Sequence, residues 1–195
     1  MKLLLTFSFI IVISLPSSID AKNLTLSKTS SEMLFSSIDT SPEGFTFGYQ
    51  GGGESYKWYL EYQALEDNQI KFEYNSFNLG TNFNFSTREN ISYGLNLEVG
   101  TGSADLKTSS NEFDYFSISS GGFAEYKPTE VFSIIARLQY SFYFESTANT
   151  VCRDGTTSES TGRGTCSSHG GISFLNEKLG NADGIKFNIG VQLYF

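Results

Sequence analysis

Ser167, Ser168 and His169 stand together in the run SSHGG, and a hydroxyl beside an imidazole is the pairing that nucleophilic acyl transfer uses. Adjacent positions in a Gly-rich loop do not by themselves bring a hydroxyl onto an imidazole nitrogen. The nearest downstream acids, Glu177 and Asp183, have no spacing that marks an orienting partner, so His169, the single histidine, reads as a surface side chain. Cys152 and Cys166 are the only cysteines, separated by RDGTTSESTGRGT. A catalytic thiol needs a base held beside it, and a metal site needs more ligands than this pair supplies. GYQGGGESY at 48–56 lacks the Lys and the helix of a phosphate-cradling loop, and the acids of 67–69 and 154–155 fit turns rather than a calcium loop. The expectation is a non-enzymatic protein with no catalytic, metal or cofactor-binding residues.

A second set of chemistry-bearing residues is spread along the chain at alternating positions. Lys57, Glu61, Lys71, Glu73, Glu98, Arg137 and Lys186 all fall on the polar side of period-two segments whose other side is apolar. Both signs are present, so these groups can pair if the chain brings them to one interior. The elements that would carry them are strands. Phe45, Phe47 and Tyr49 alternate with Thr46, Gly48 and Gln50, and Tyr56, Trp58, Leu60 and Tyr62 alternate with Lys57, Tyr59, Glu61 and Gln63. Ile70, Phe72 and Tyr74 share one face; at Phe77 the apolar parity flips, which places a tight turn near Ser76. Segments at 91–99, 113–126, 132–145 and 185–195 follow, with a bend expected at the SISSGG of 117–122 in the third-last. Eight strands are expected.

Composition narrows the class. The 195 residues hold 18 Phe and 11 Tyr but only 39% hydrophobic residues, which favours pleated half-apolar strands over helices or disorder. With 13 Lys and Arg against 21 Asp and Glu the net charge is -8, so a phosphate backbone is repelled and nucleic acid is excluded as a partner. Residues 1–21, MKLLLTFSFIIVISLPSSIDA, have a basic start, an apolar run and a small residue at the end, the layout of a secretory signal peptide. The apolar run would rise only about 20 Å as a helix, too short to span. Export places Cys152 and Cys166 where thiols are oxidised, so they are expected to form a disulfide within a loop. Residues 22–43 mix Ser and Thr with isolated apolar positions and read as a leader of uncertain structure or a short first-strand approach, which leaves 44–195 as the barrel domain.

The apolar faces run for five to seven alternate positions almost free of charge, enough to cross a bilayer as tilted strands. Strands in hydrocarbon must close, since an open edge leaves backbone groups unpaired. The fold class is therefore all-β: an eight-stranded antiparallel up-and-down transmembrane β-barrel, its charged positions enclosed in a lumen just wide enough for side chains to fill. Compact turns at 65–69, 86–90 and 127–130 are expected on one rim, and connections at 51–54, 75–78, 101–112 and 146–184 on the other.

The ending GVQLYF, with Val191, Leu193 and the terminal Phe195 on one face, and stretches such as GTNFNFSTRENISYGLNLEVG and GGFAEYKPTEVFSIIARLQYSF carry a resemblance to a known group. From residue 44 onward the chain resembles the small bacterial outer-membrane β-barrel superfamily, which includes the OmpA transmembrane domain, OmpX-like and opacity-type proteins. The resemblance implies location in the cell outer membrane among lipid and lipopolysaccharide, assembly through recognition of the last strand by the barrel-assembly machinery, a monomer, and loops displayed for envelope integrity, adhesion or contact with a host ligand. Two alternatives remain at this point: a narrow porin-like channel, and an envelope lipid hydrolase of the lipid A deacylase type using His169.

Overall fold

The computed structural model describes residues 21–35, 38–53, 55–88, 90–106, 112–146, 150–161, 164–175 and 178–195. The segment read as a signal peptide lies outside them except for Ala21. Thirteen strands form: β1 (Ala21–Ser31), β2 (Met33–Phe35), β3 (Asp39–Thr40), β4 (Glu43–Gly52), β5 (Tyr56–Asp67), β6 (Phe72–Arg88), β7 (Ile91–Leu106), β8 (Glu112–Thr129), β9 (Phe132–Glu145), β10 (Thr150–Cys152), β11 (Thr157–Ser158), β12 (Ile172–Leu175) and β13 (Ala182–Tyr194). No described helix is long and apolar enough to cross a membrane.

Eight of these strands close into an antiparallel barrel in the order β1-β4-β5-β6-β7-β8-β9-β13, with β13 returning to β1. Its size follows from the register. A walk perpendicular to the strands from Asp183 passes Phe142, Ile118, Val99, Leu79, Leu60, Tyr49 and Leu24 and returns to β13 at Leu193, ten residues further on. A ten-residue shear across eight strands tilts them by about 40° and leaves room inside for side chains alone.

The expectation of a leader at 22–43 is corrected by this closure. β1 is the first barrel strand and the one that seals the sheet, paired with β4 on one side and β13 on the other. It alternates Leu24 and Leu26 outward against Asn23, Thr25, Ser27 and Thr29 inward, and with small polar residues in place of charges its period is faint.

A second correction concerns the turn expected near Ser76. β6 runs from Phe72 to Arg88 with no turn at Ser76, and its even-numbered residues face inward from Phe72 to Asn84, where the register shifts. What changes at Ser76 is the polarity of the inward face. Phe72 and Tyr74 are buried inside one end of the barrel, whereas Asn78 and Asn82 are buried inside its middle. The same inversion occurs on β8, where Phe113 and Tyr115 point inward before Phe116 and Ile118 point outward. β8 is likewise continuous through 117–122 and carries its register shift at 126–129 instead.

The apolar end forms a compact core of Met33, Phe35, Leu65, Phe72, Tyr74, Ala104, Phe113, Tyr115, Tyr143 and Ala182. Phe35 sits edge-on to Phe72 and Tyr115, each ring centroid 6.0 Å away. β2 supplies Met33 and Phe35 by continuing along β13 beyond β1, with Leu34 opposite Asp183 and Phe35 opposite Ala182. Outside that core the wall carries Glu43, Glu66, Glu73, Asp105 and Asp114 instead of apolar side chains. A sheet with water outside must bury its apolar face within, and a sheet with lipid outside must do the reverse. The parity inverts where the environment does.

The rims also differ from the expected grouping. The C-terminal ends of β1, β5, β7 and β9 lie at one end, the loop rim, while those of β4, β6 and β8 and both ends of the described chain lie at the other, the turn rim. The turns at 65–69 and 51–54 thus exchange places, because one strand was missing at the start and one turn was supernumerary at Ser76. Phe35→Ala should lower barrel stability by about 3–5 kcal/mol, as truncating a packed core aromatic does. Urea unfolding of the folded protein measures this, with lipid-facing Phe85→Ala, 66% exposed, expected to cost much less.

Candidate functional site: a charged lumen beneath a disulfide-tied loop

The inward faces of the barrel's middle place ionised groups from five strands in contact. Arg137 on β9 reaches Glu61 on β5, Nη1 to Oε1 2.6 Å, with both side chains almost fully buried. The guanidinium lies 4.2 Å from the centroid of the Tyr59 ring. Tyr59 fits because the residue opposite is Gly80, where a Cβ would stand 2.1 Å from its ring. The Tyr59 hydroxyl donates to Glu98 Oε2 at 2.9 Å, and Glu98 also pairs with Lys186 through Oε1. Asn96 donates to the Tyr59 oxygen at 2.8 Å and to Asn82 at 2.6 Å. Nearer the turn rim, Lys57 Nζ pairs with Glu125 Oε2 at 2.6 Å and donates to the Tyr194 hydroxyl at 3.2 Å.

Five of the seven residues expected in the lumen are therefore there: Lys57, Glu61, Glu98, Arg137 and Lys186. Lys71 and Glu73 are not. Lys71 lies exposed in the 68–71 turn with φ 57°, and Glu73 is on the outward parity of β6 above the apolar belt. Their place is taken by Glu125, which the irregular polarity of β8 conceals in the sequence. The signal that reveals it is parity, since Phe123 and Glu125 share the inward register of Ser117 and Ser119. The completed set has three cations and three carboxylates, so the lumen is neutral and each charge is compensated where removal from water is costly.

Uncharged groups fill the space between these pairs and β1. Gln50 Oε1 accepts from Asn23 at 2.9 Å and Gln192 at 2.8 Å, and Asn188 donates to Ser27 at 2.9 Å and Thr29 at 2.8 Å. Tyr59, Ile135 and Tyr143 are buried inward. These side chains meet across the lumen as a polar core.

Beyond the loop rim, β10, β11 and β12 form a separate three-stranded sheet in the order β11-β10-β12. Residues 172–175 are thus a strand of this small sheet rather than of the barrel. Cys152 and Cys166 are joined, their Cα atoms 5.4 Å apart. Asp154 takes the amide and hydroxyl of Thr156 on Oδ1 at 3.1 and 2.7 Å, and its Oδ2 lies 2.7 Å from His169 Nδ1. The acid beside His169 is therefore Asp154, which the sequence offered only as a turn residue. Asp183 instead accepts from Tyr140, and Glu177 lies outside the described residues. Ser167 and Ser168 are exposed turn residues. Among the described residues no three potential metal ligands cluster.

The outer wall completes the picture. Leu60, Phe77, Leu79, Leu95, Leu97, Ile118, Leu138, Ile189 and Val191 are all about 40–60% exposed. Aromatics edge this band, Tyr56, Phe85, Tyr93 and Tyr126 toward the turn rim and Phe45, Tyr62, Tyr140 and Phe144 toward the loop rim. Tyr194 belongs to the lumen rather than to these girdles. Such a surface surrounds a closed barrel only where hydrocarbon replaces water.

The comparisons agree with this architecture. Neisserial surface protein A superimposes with a TM-score of 0.60 at 12% identity, covering 89% of this chain and 97% of its own. Ail, the attachment invasion locus protein of Yersinia pestis, gives 0.51 at 12% identity over 90% of this chain and 98% of its own. The same protein in complex with the heparin analogue sucrose octasulfate gives 0.53 at 13%, covering 90% and 99%. The fold is that of the small outer-membrane β-barrels. A family model described as a domain of unknown function, DUF3761, matches residues 146–173, which is the disulfide-tied loop alone. No curated protein matches the sequence.

Arg137→Met, which strands Glu61 in the lumen, should cost about 3–5 kcal/mol, and Arg137→Met with Glu61→Leu should recover most of it. Urea midpoints of the three proteins measure the difference. In the loop, the Thr156 hydroxyl and amide, then His169, hold Asp154 down at about 2 from 3.8. A depressed carboxyl stabilises the loop fully above the unfolded value and loses that contribution as pH falls through the folded one. The amide chemical shift of Thr156 should therefore change as Asp154 protonates near pH 2.

Proposed function

We propose that this protein is a non-enzymatic outer-membrane anchor that presents the 146–181 loop outside the cell. Long connections facing outward and short turns facing the periplasm are the arrangement of bacterial membrane barrels, which assigns the loop rim to the exterior. The observation that carries the reading is the division of the chain into two units. A barrel with a packed neutral lumen supports, in its longest connection, a small sheet closed by Cys152–Cys166 and Asp154–His169, and the family model falls on that sheet and not on the barrel.

The remaining features fit the same route. Residues 1–21 act as the export signal, and Val191, Leu193 and Phe195 on the outer face of β13 present the terminal signal to the assembly machinery. Residues 22–195 then insert as a monomer among outer-membrane lipid and lipopolysaccharide. A role at the host surface is favoured by the likeness to an attachment invasion locus protein, with the extracellular ligand meeting the loop. Cross-bracing by a disulfide suits a loop that must hold a shape in an oxidising exterior.

Membranes of cells producing the full chain should yield a band that shifts on boiling before electrophoresis, and protease added to intact cells should cut within 146–181 while sparing the barrel. Cys152→Ser with Cys166→Ser should hasten that cleavage and leave the heat shift unchanged. Recovery in the soluble periplasmic fraction without a heat shift would reject the reading. Discrete conductance in planar bilayers would instead favour a channel, against the filled lumen.

A further inference from the structure

One charged side chain lies on the lipid-facing wall below the level at which the wall turns polar. The outward positions of β1 are Lys22, Leu24, Leu26, Lys28 and Ser30, and Lys28 stands directly opposite Phe45 of β4 and Ile189 of β13. With the strands tilted about 40°, each perpendicular step from β4 to β1 descends about 3 Å toward the turn rim and each residue along a strand rises about 2.5 Å. The Lys28 Cα is therefore about 8 Å deeper in the belt than that of Glu43, which stands at the polar edge. On the neighbouring β13 the apolar face continues past this depth through Phe187 and Ile185, 42% and 47% exposed.

Lys28 extends upward along this wall, and its Nζ meets Glu43 Oε2 at 2.6 Å. Both side chains remain open to the surroundings, 62% and 54% exposed. An ammonium has three donors and Glu43 accepts one. Of the outward side chains beside it, Leu26, Phe45, Phe187 and Ile189 offer no acceptor and Ser30 offers a single hydroxyl, which leaves a donor free. An ionised group at membrane depth is retained where it has a partner, and the acceptors present at the polar edge of a leaflet are headgroup oxygens.

We propose that Lys28, positioned by Glu43, binds the phosphate of an anionic lipid in the outer leaflet. This rests on the outward assignment of the loop rim made above. Glu43 aims the ammonium at the interface, and Phe45 and Phe187 flank it with surface for an acyl chain. The site takes a phosphomonoester headgroup bound to lipid, whose chains hold it at this depth, and not the free anion.

The test reconstitutes the full mature barrel in phosphatidylcholine vesicles with spin-labelled phosphatidic acid or spin-labelled phosphatidylcholine, and reads the motionally restricted fraction by electron spin resonance. The wild-type protein should prefer phosphatidic acid by about fivefold, the effect of one cation near a membrane surface. Lys28→Met should abolish the preference while keeping the heat shift, and Glu43→Gln should strengthen it, since its amide oxygen still accepts from the ammonium while the competing negative charge is gone. Inorganic phosphate should not displace the labelled lipid. Unchanged preference in Lys28→Met, an equal loss in Glu43→Gln, or displacement by inorganic phosphate would each overturn the proposal. Failure of the wild-type barrel to form in vesicles would strike at the membrane reading instead.

Discussion

Every backbone amide and carbonyl of this wall must find a partner within the wall, because hydrocarbon offers none. β1 meets that requirement. Nine residue pairs with β13 and ten with β4 turn an open sheet into a closed one, and the ten-residue shear they impose sets the tilt, the bore and the depth of every side chain. The lumen charges meet at hydrogen-bonding distance because that bore is narrow. Lys28 sits within the apolar belt because the tilt carries β1 downward as the wall turns.

Closure in lipid also reverses the usual logic of a protein interior. Between the aromatic edges, the hydrophobic side chains face out and the three ion pairs face in; beyond the loop rim the arrangement returns to that of a water-soluble sheet, with Phe35, Phe72 and Tyr115 packed inside. One strand can serve both regions because its backbone parity is the same in each. Only the residues chosen for the inward positions do. The apolar core at the loop rim packs over the polar centre of the barrel, with the disulfide-tied sheet beyond it.

Much of this was legible in the chain. The apolar alternation of 91–99, 132–145 and 185–195 marks lipid-facing strands, and the position of Arg137 and Glu61 on polar faces marks them as interior partners. Residues 21–31 escaped because Asn23, Thr25, Ser27 and Thr29 contrast weakly with two leucines. The apparent flip at Ser76 was a change of solvent rather than of direction, and hydrophobic period alone does not distinguish the two. Glu125 was hidden by the same effect, since Phe123 beside it breaks the polar pattern of the lumen face.

Sequence by itself determined the class of structure: strands long enough to cross lipid, charges confined to one face, and cysteines within a single connection. Those are local properties, written in alternation and spacing. Tertiary structure decided which strand seals the barrel, that Asp154 rather than a downstream acid meets His169, and that Glu125 joins the lumen to neutralise Lys57 while Glu73 lies outside it. These depend on register around a closed surface, where residues dozens of positions apart become neighbours through a shear that no single segment specifies.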